Sequence, residues 1–164
     1  MKTIIVILLL LLTTICTKSQ NSMIFSAALN SGVCAHGSKQ IDPLIGIDIE
    51  ARHNKFGLYV SATGDFSFDT SGSRIYEFII GPRWYIGNLK KINGVIETGF
   101  GDYIHSDNNA TGRNRFGFNF GLGLNYPVSK EIDISLKGKY HLYSGGYGTT
   151  KGDVYFSFRY FFNK

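Results

Sequence analysis

The chain has 164 residues, enough for one domain with a closed sheet and too few for two ordinary cores. Its 20 glycines, 13 phenylalanines and 10 tyrosines against 3 prolines favour extended structure, because aromatic residues prefer strands and glycine occupies turns and close-packed strand positions. The formal charge of +5 is mild and the basic residues are scattered, which argues against a nucleic-acid partner.

Residues 1–19 have the pattern of a secretory signal peptide. A basic start precedes an apolar run over residues 4–12. This run is shorter than the roughly 18–20 residues of a membrane-spanning helix. The small residues Thr17 and Ser19 then predict cleavage before Gln20.

Cys16 offers a competing interpretation, a lipid anchor, because anchor sequences also end an apolar run with cysteine. Ile15 disfavours it, since the position before such a cysteine normally holds Gly, Ala or Ser. After cleavage at the predicted site, Cys34 is the one thiol of a domain over residues 20–164, so an internal disulfide is impossible. The sequence also lacks the Cys and His spacings of metal sites, and we expect neither a metal nor a cofactor.

Beyond the signal peptide the dominant pattern is an alternation with a period of two, which predicts β-strands. It is clearest in "RFGFNFGLGLNY" from Arg115 to Tyr126, where large apolar side chains alternate with Gly and Asn. The pattern predicts eight strands, over residues 22–30, 43–53, 56–66, 74–86, 94–105, 115–126, 132–143 and 153–162.

The connections between these strands alternate in length. Long polar connections are predicted over residues 31–42, 67–73, 106–114 and 144–152, and short ones over residues 54–55, 87–93 and 127–131. In an up-and-down meander all the long connections meet at one end of the sheet and all the short ones at the other. The alternation therefore predicts an eight-stranded antiparallel barrel with one loop-bearing end.

Alternation alone does not say which face meets water, because a soluble lipocalin-like barrel gives the same pattern. Two features favour lipid outside: the predicted strands are long enough to cross a bilayer when tilted, and the polar face is rich in Gly and Ser. A third is the position of tyrosine and tryptophan near strand ends, where an interfacial girdle lies. The residues expected in this girdle are Tyr76, Trp84, Tyr85, Tyr103, Tyr126, Tyr140, Tyr143 and Tyr160.

The polar faces of different strands carry charged residues that are expected to point into the barrel. These are Asp48, Glu50, Arg52, Glu77, Arg83, Glu97, Lys137, Lys139 and Arg159. The interior of an eight-stranded barrel is just wide enough for side chains to fill. We interpret the nine residues as a packed and paired structural network, with an ion path as the alternative.

His141 and Ser144 raise the possibility of catalysis, because a histidine near a serine can supply a base and a nucleophile. Strand residues three apart point to opposite faces, so we expect His141 to be an interior side chain and predict no catalytic residue. The other histidines, His36, His53 and His105, share no spacing that makes a metal site.

Three stretches resemble the small outer-membrane β-barrel family, the OmpX-like and OmpA-barrel-like proteins of Gram-negative bacteria. They are "FIIGPRWYIG" at 78–87, "FGFNFGLGLNYPV" at 116–128 and "VYFSFRYFF" at 154–162. The resemblance covers roughly residues 22–162. It implies an eight-stranded transmembrane barrel, porin-like in build, that the outer-membrane assembly machinery inserts.

In this family the machinery reads a terminal strand that ends in an aromatic residue, whereas Phe162 is here followed by Asn163 and Lys164. We expect a non-enzymatic integral outer-membrane protein, surrounded by membrane lipid and lipopolysaccharide. It would present four surface loops for adhesion or for an extracellular ligand. The alternatives are a secreted soluble lipocalin-like barrel that binds a small apolar ligand and a lipid A-modifying outer-membrane enzyme.

Overall fold

A computed structural model describes residues 23–36, 40–66, 74–107, 110–144 and 150–163. The predicted signal peptide lies outside these residues. The chain forms eight strands: β1 (Met23–His36), β2 (Gln40–His53), β3 (Phe56–Asp65), β4 (Arg74–Ile86), β5 (Asn93–Asp107), β6 (Ala110–Pro127), β7 (Ile132–Tyr143) and β8 (Thr150–Phe161). Within the described residues, no helix is both long enough and apolar enough to cross a membrane.

The strands form one closed antiparallel barrel. Each strand pairs with the next, and β8 pairs with β1, where Ala28 lies opposite Arg159 and Gly32 lies opposite Tyr155. Closure leaves no sheet edge, so the strand backbone groups find partners within the barrel, as a bilayer core requires. The predicted fold class, an eight-stranded up-and-down barrel, is confirmed.

The short connections lie together at one end, which we call the turn end, and we call the opposite end the loop end. Between β2 and β3, Asn54 has a φ of 52°, in the left-handed region that asparagine tolerates better than most residues. Gly87 begins the connection after β4 with a φ of 105°, which a residue with a side chain rarely adopts. These two residues let the chain reverse tightly at the turn end.

The long connections were predicted to be longer than they are. Much of residues 31–42 and 106–114 belongs to strands, with Val33 opposite Pro43 and His105 opposite Arg113. Strand pairing uses backbone groups and needs no apolar alternation, so a polar sequence can continue a ladder beyond the lipid. β6 has 18 residues, more than the roughly 9–11 that span a bilayer. The expectation of four surface loops rests on connections of which residues 37–39, 67–73, 108–109 and 145–149 lie outside the described part.

The apolar side chains point outward and the polar side chains point inward. On β6, Phe118 and Leu124 are 57% and 60% exposed, whereas Asn119 and Asn125 are each 2% exposed. The outward side chains include Leu29, Ile45, Ile47, Ile49, Val60, Phe78, Phe100, Phe120, Leu122, Leu136, Val154, Phe156 and Phe158. This polarity is the reverse of a soluble lipocalin-like barrel, and it gives the exterior an apolar band suited to lipid.

The predicted aromatic girdle was wrong for three of its members. Tyr85, Tyr103 and Tyr143 are buried inside the barrel. The reason is that distance from a strand end sets only the height of a side chain, while its parity in the alternation sets the face. The exposed members are Trp84, Tyr126, Tyr140 and Tyr160.

Candidate functional site in the barrel interior

The nine charged residues predicted to point inward all lie in the interior, and none is more than 6% exposed. β2 carries Asp48, Glu50 and Arg52; β4 carries Glu77 and Arg83; Glu97, Lys137, Lys139 and Arg159 come from β5, β7 and β8. Five further charged residues that are not among these nine are also buried: Asp42, Asp65, Asp133, Lys151 and Asp153.

Arg83 is the centre of the larger group of interior charges. Its Nη2 donates to Asp48 Oδ2 at 2.8 Å, its Nη1 to Glu50 Oε2 at 2.6 Å, and its Nε to Glu97 Oε2 at 2.6 Å. All four side chains are at most 1% exposed. The planar guanidinium suits this task because it presents its donors in a rigid fork. One arginine therefore holds carboxylates from β2 and β5 together across the interior.

Further cations complete this group. Arg159 Nη1 donates to Glu50 Oε2 at 2.6 Å, and the Nζ atoms of Lys137 and Lys139 lie 3.3 and 2.9 Å from the Glu97 carboxylate. Charged groups out of water are stable only when such pairs and hydrogen bonds replace their hydration. We call the set the lower network: Asp48, Glu50, Arg83, Glu97, Lys137, Lys139 and Arg159.

Aromatic side chains make further contacts with the charged groups of this region. The Tyr85 hydroxyl donates to Glu50 at 2.9 Å, and the Tyr155 hydroxyl donates to Glu97 Oε1 at 3.0 Å. The guanidinium of Arg52 lies over the rings of Tyr85 and Phe161, at 4.6 and 4.8 Å from their centroids. Such cation–π contacts are favourable where water is excluded.

Interior glycines provide the space for these long side chains. A Cβ atom at Gly99 would lie 2.8 Å from the Tyr59 hydroxyl, and one at Gly57 would lie 2.5 Å from Glu50 Oε1. Real Cβ atoms do not come so close to other atoms, so even an alanine would force a shift. The glycines of the polar face therefore leave room for the tyrosine and carboxylate side chains of neighbouring strands.

A second group of charged side chains lies nearer the loop end. We call it the upper cluster: Asp65, Glu77, His141, Lys151 and Asp153. Lys151 Nζ donates to Glu77 Oε1 at 2.6 Å and lies 3.5 Å from Asp65 Oδ2 and 3.4 Å from Asp153 Oδ1. His141 Nε2 lies 2.8 Å from Asp153 Oδ2. In this cluster three carboxylates surround one lysine and one histidine.

A sequence signal for part of the upper cluster did exist. Asp153 and Lys151 share the parity of the inward residues Tyr155 and Arg159 on β8. The alternation of large apolar residues begins only at Val154, so the pattern predicts a connection at Lys151. The ladder itself continues to Thr150.

The structure does not bring His141 and Ser144 together. His141 is fully buried, and its Nδ1 lies 3.3 Å from the Tyr103 hydroxyl. Ser144 is exposed at the end of β7, and its backbone N–H donates to Phe116 O at 2.8 Å. Among the other histidines, His53 is exposed at the turn end. The side chains of His36 and His105 are not among those that the structure describes.

No protein-family profile matches the chain, and no curated protein matches it in sequence. Its structure is similar to that of Neisserial surface protein A, with a TM-score of 0.70 and 11% identity over 84% of this chain and 96% of that one. It is also similar to Ail, the attachment invasion locus protein of Yersinia pestis, with a TM-score of 0.53 and 15% identity over 86% of this chain and 98% of that one. The outer membrane enzyme PagL gives a TM-score of 0.56 and 13% identity over 81% of this chain and 98% of that one.

Identities this low establish the fold and not an activity, and the three names describe a surface protein, an attachment protein and an enzyme. The chain has the fold of the small eight-stranded outer-membrane β-barrels. Together with the apolar exterior, this fold places the protein in an outer membrane.

Proposed function

We propose that the protein is a non-enzymatic, non-conducting barrel of the outer membrane that meets its extracellular partners at the loop end. The observation that carries the proposal is the interlocked interior. An ion crossing the barrel has to pass Arg83, which is held by three carboxylates, and then the lysines on Glu97. Separating such buried pairs is costly, so the interior acts as a filled core.

The test is to fold the protein into planar bilayers and liposomes. We expect a barrel that resists alkaline extraction, migrates differently on gels before and after boiling, and gives no steady single-channel current. The double variant Arg83→Ser with Arg159→Ser, which removes both arginines of the lower network, serves as the comparison for a loosened interior. Release into buffer at high pH contradicts the membrane assignment, and stepwise currents from the wild type contradict a closed interior.

The non-enzymatic part of the proposal rests on the separation of His141 and Ser144. A base that activates a serine has to reach its hydroxyl, whereas His141 is enclosed by Tyr103 and Asp153. We expect lipid A from cells that produce the protein to keep its acyl chains, as measured by mass spectrometry. A change in lipid A that disappears in Ser144→Ala contradicts this expectation.

Contacts outside the cell are assigned to the loop end, because the turn end of such barrels faces the periplasm. Membrane lipid and lipopolysaccharide would surround the apolar band, and the assembly machinery would act on β8 and on the exposed Phe162 that directly follows it. Replacing residues 67–73 and 145–149 by Gly/Ser linkers of equal length should abolish attachment of producing cells to host surfaces while leaving the folded barrel intact. Shortening the turn at residues 87–92 is the matched control, and attachment that survives the loop replacement contradicts the proposal.

A further inference from the structure

We propose that the upper cluster contains a Zn²⁺ site formed by Glu77, His141 and Asp153. These residues come from β4, β7 and β8 and are separated by 64 and 12 positions in the chain, which is why no spacing in the sequence reveals them. One ligand atom from each lies within 4.8 Å of the other two. The proposal departs from the expectation of no metal and is independent of the proposed function.

The distances suit a small ion after modest movement. Zn²⁺ takes nitrogen and oxygen ligands at about 2.0–2.2 Å, which places the ligand atoms of a tetrahedral site roughly 3.4 Å apart. Closing the three side chains around an ion therefore shortens separations of up to 4.8 Å by at most roughly 1.4 Å. All three side chains are at most 3% exposed, so strands of the barrel hold them in position.

Two buried atoms of the cluster have no hydrogen-bond partner. His141 Nε2 and Asp153 Oδ1 are buried and make no hydrogen bond. His141 Nε2 lies 2.8 Å from Asp153 Oδ2, and the other ring nitrogen, Nδ1, lies 3.7 Å from Glu77 Oε2. A buried imidazole nitrogen that lies close to a carboxylate without a hydrogen bond to it can bind a cation together with that carboxylate.

The charge of the cluster also favours a cation. Asp65, Glu77 and Asp153 carry three carboxylates, and Lys151 is the one permanent positive charge among the five cluster residues. A dication would balance this excess. Lys151 competes with the dication, because the Lys151 ammonium contacts the carboxylates of Glu77 and Asp153. Asp65, 3.5 Å from this ammonium, can keep it when the ion binds.

The ligand chemistry selects the metal. An imidazole nitrogen with carboxylate oxygens is a set that Zn²⁺ and similar transition metals accept, whereas Ca²⁺ and Mg²⁺ prefer oxygen ligands alone. The cluster lies toward the loop end, so ions would enter from outside the cell. We therefore expect Zn²⁺ to bind and Ca²⁺ to bind weakly at this place.

The test uses the full barrel folded in detergent, stripped of metal, dialysed against ZnCl₂ and analysed for bound zinc. We expect about one Zn²⁺ per wild-type barrel. His141→Gln and Asp153→Asn should each lose it, while His53→Gln, which removes an exposed histidine at the turn end, should keep it. The shift in gel mobility on boiling shows that each variant is folded. A wild type without zinc, or a folded His141→Gln that keeps it, overturns the proposal.

Lys151→Gln gives a second test with the opposite sign. Removing the competing ammonium should tighten Zn²⁺ binding, and added Zn²⁺ should restore the thermal stability that the variant loses in metal-free buffer. A merely structural salt bridge predicts lower stability that zinc does not restore, and that result would count against the site. CaCl₂ at the same concentration is the control, and equal rescue by Ca²⁺ also overturns the assignment to Zn²⁺.

Discussion

At the scale of single residues, the interior is organised by charges that have no access to water. Arg83 satisfies three carboxylates at once, and each of these carboxylates has a second partner, such as Arg159 on Glu50 or Lys139 on Glu97. The measured cost of breaking a buried pair comes mainly from the charge that is left alone and less from the lost attraction. Single substitutions in the lower network should therefore be more damaging than the same changes at the surface.

Arg83→Met should lower the free energy of unfolding by about 3–5 kcal/mol, because it leaves Asp48, Glu50 and Glu97 short of one cation in a buried site. Urea titration of the barrel in lipid vesicles measures this change. The control is Lys91→Met, which removes an exposed cation at the turn end and should change stability by no more than about 0.5 kcal/mol. Equal effects of the two variants would contradict a structural role for the network.

Gly99→Ala should destabilise the barrel by about 1–3 kcal/mol, since its Cβ would meet Ile79 Cγ2 at 2.6 Å and the Tyr59 hydroxyl at 2.8 Å. Gly152→Ala is the matched control, because a Cβ there has no other atom within 4 Å. The same urea titration applies to both. If Gly99→Ala proves as stable as Gly152→Ala, the interior is less tightly packed than the structure indicates.

At the scale of the strand, alternation decides which solvent each side chain meets. β6 presents Phe118, Phe120 and Leu124 outward and Asn119 and Asn125 inward. Because the period is two, a slip by one residue would exchange the two faces and bury phenylalanine among charges. The strong alternation of β6 therefore fixes its register against β5 and β7.

Phe118→Lys should cost about 2–4 kcal/mol in lipid, the penalty for a lysine on the lipid-facing side near the middle of the bilayer. Tyr126→Lys on the same strand is the control. Tyr126 is also exposed but lies at the turn end, where a lysine should cost no more than about 1 kcal/mol. Folding free energies in liposomes measure both, and equal costs would contradict the placement of the apolar band.

At the scale of the whole molecule, closure joins the two ends of the described chain. The β1–β8 seam continues past the last strand, because Phe162 N donates to Phe25 O at 2.9 Å. The Asn163 side chain then accepts from Phe25 N at 2.7 Å and donates to Met23 O at 2.8 Å. The amide of Asn163 thus imitates one more pair of backbone groups at the end of the seam.

Asn163→Ala should lower the stability of the barrel by about 1–2 kcal/mol, because it removes both hydrogen bonds at the seam. Hydrogen exchange of the Phe25 amide should accelerate in the variant. Lys130→Ala, an exposed change at the same end, is the control and should leave this amide protected. Unchanged protection in Asn163→Ala would show that the backbone pairs hold the seam without the side chain.

Most of the fold and part of the interior site follow from local patterns. The alternation of apolar and small residues determines the strands and their two faces, because side chains point to opposite sides at successive positions. That rule predicts Asp48, Arg83 and Arg159 in the interior, and all three are buried. The same rule holds for Tyr85 and Tyr143, whose nearness to strand ends had suggested the girdle and which are buried as well.

The alternation along the chain predicts the strands and which side chains of each strand share a face, since these properties depend on neighbours along the chain. The contacts between interior residues follow only from the tertiary structure. Arg83 and Glu50 are 33 positions apart, and His141, Glu77 and Asp153 come from three strands. Their contacts depend on the registers of all eight strands and on barrel closure, which no local pattern contains.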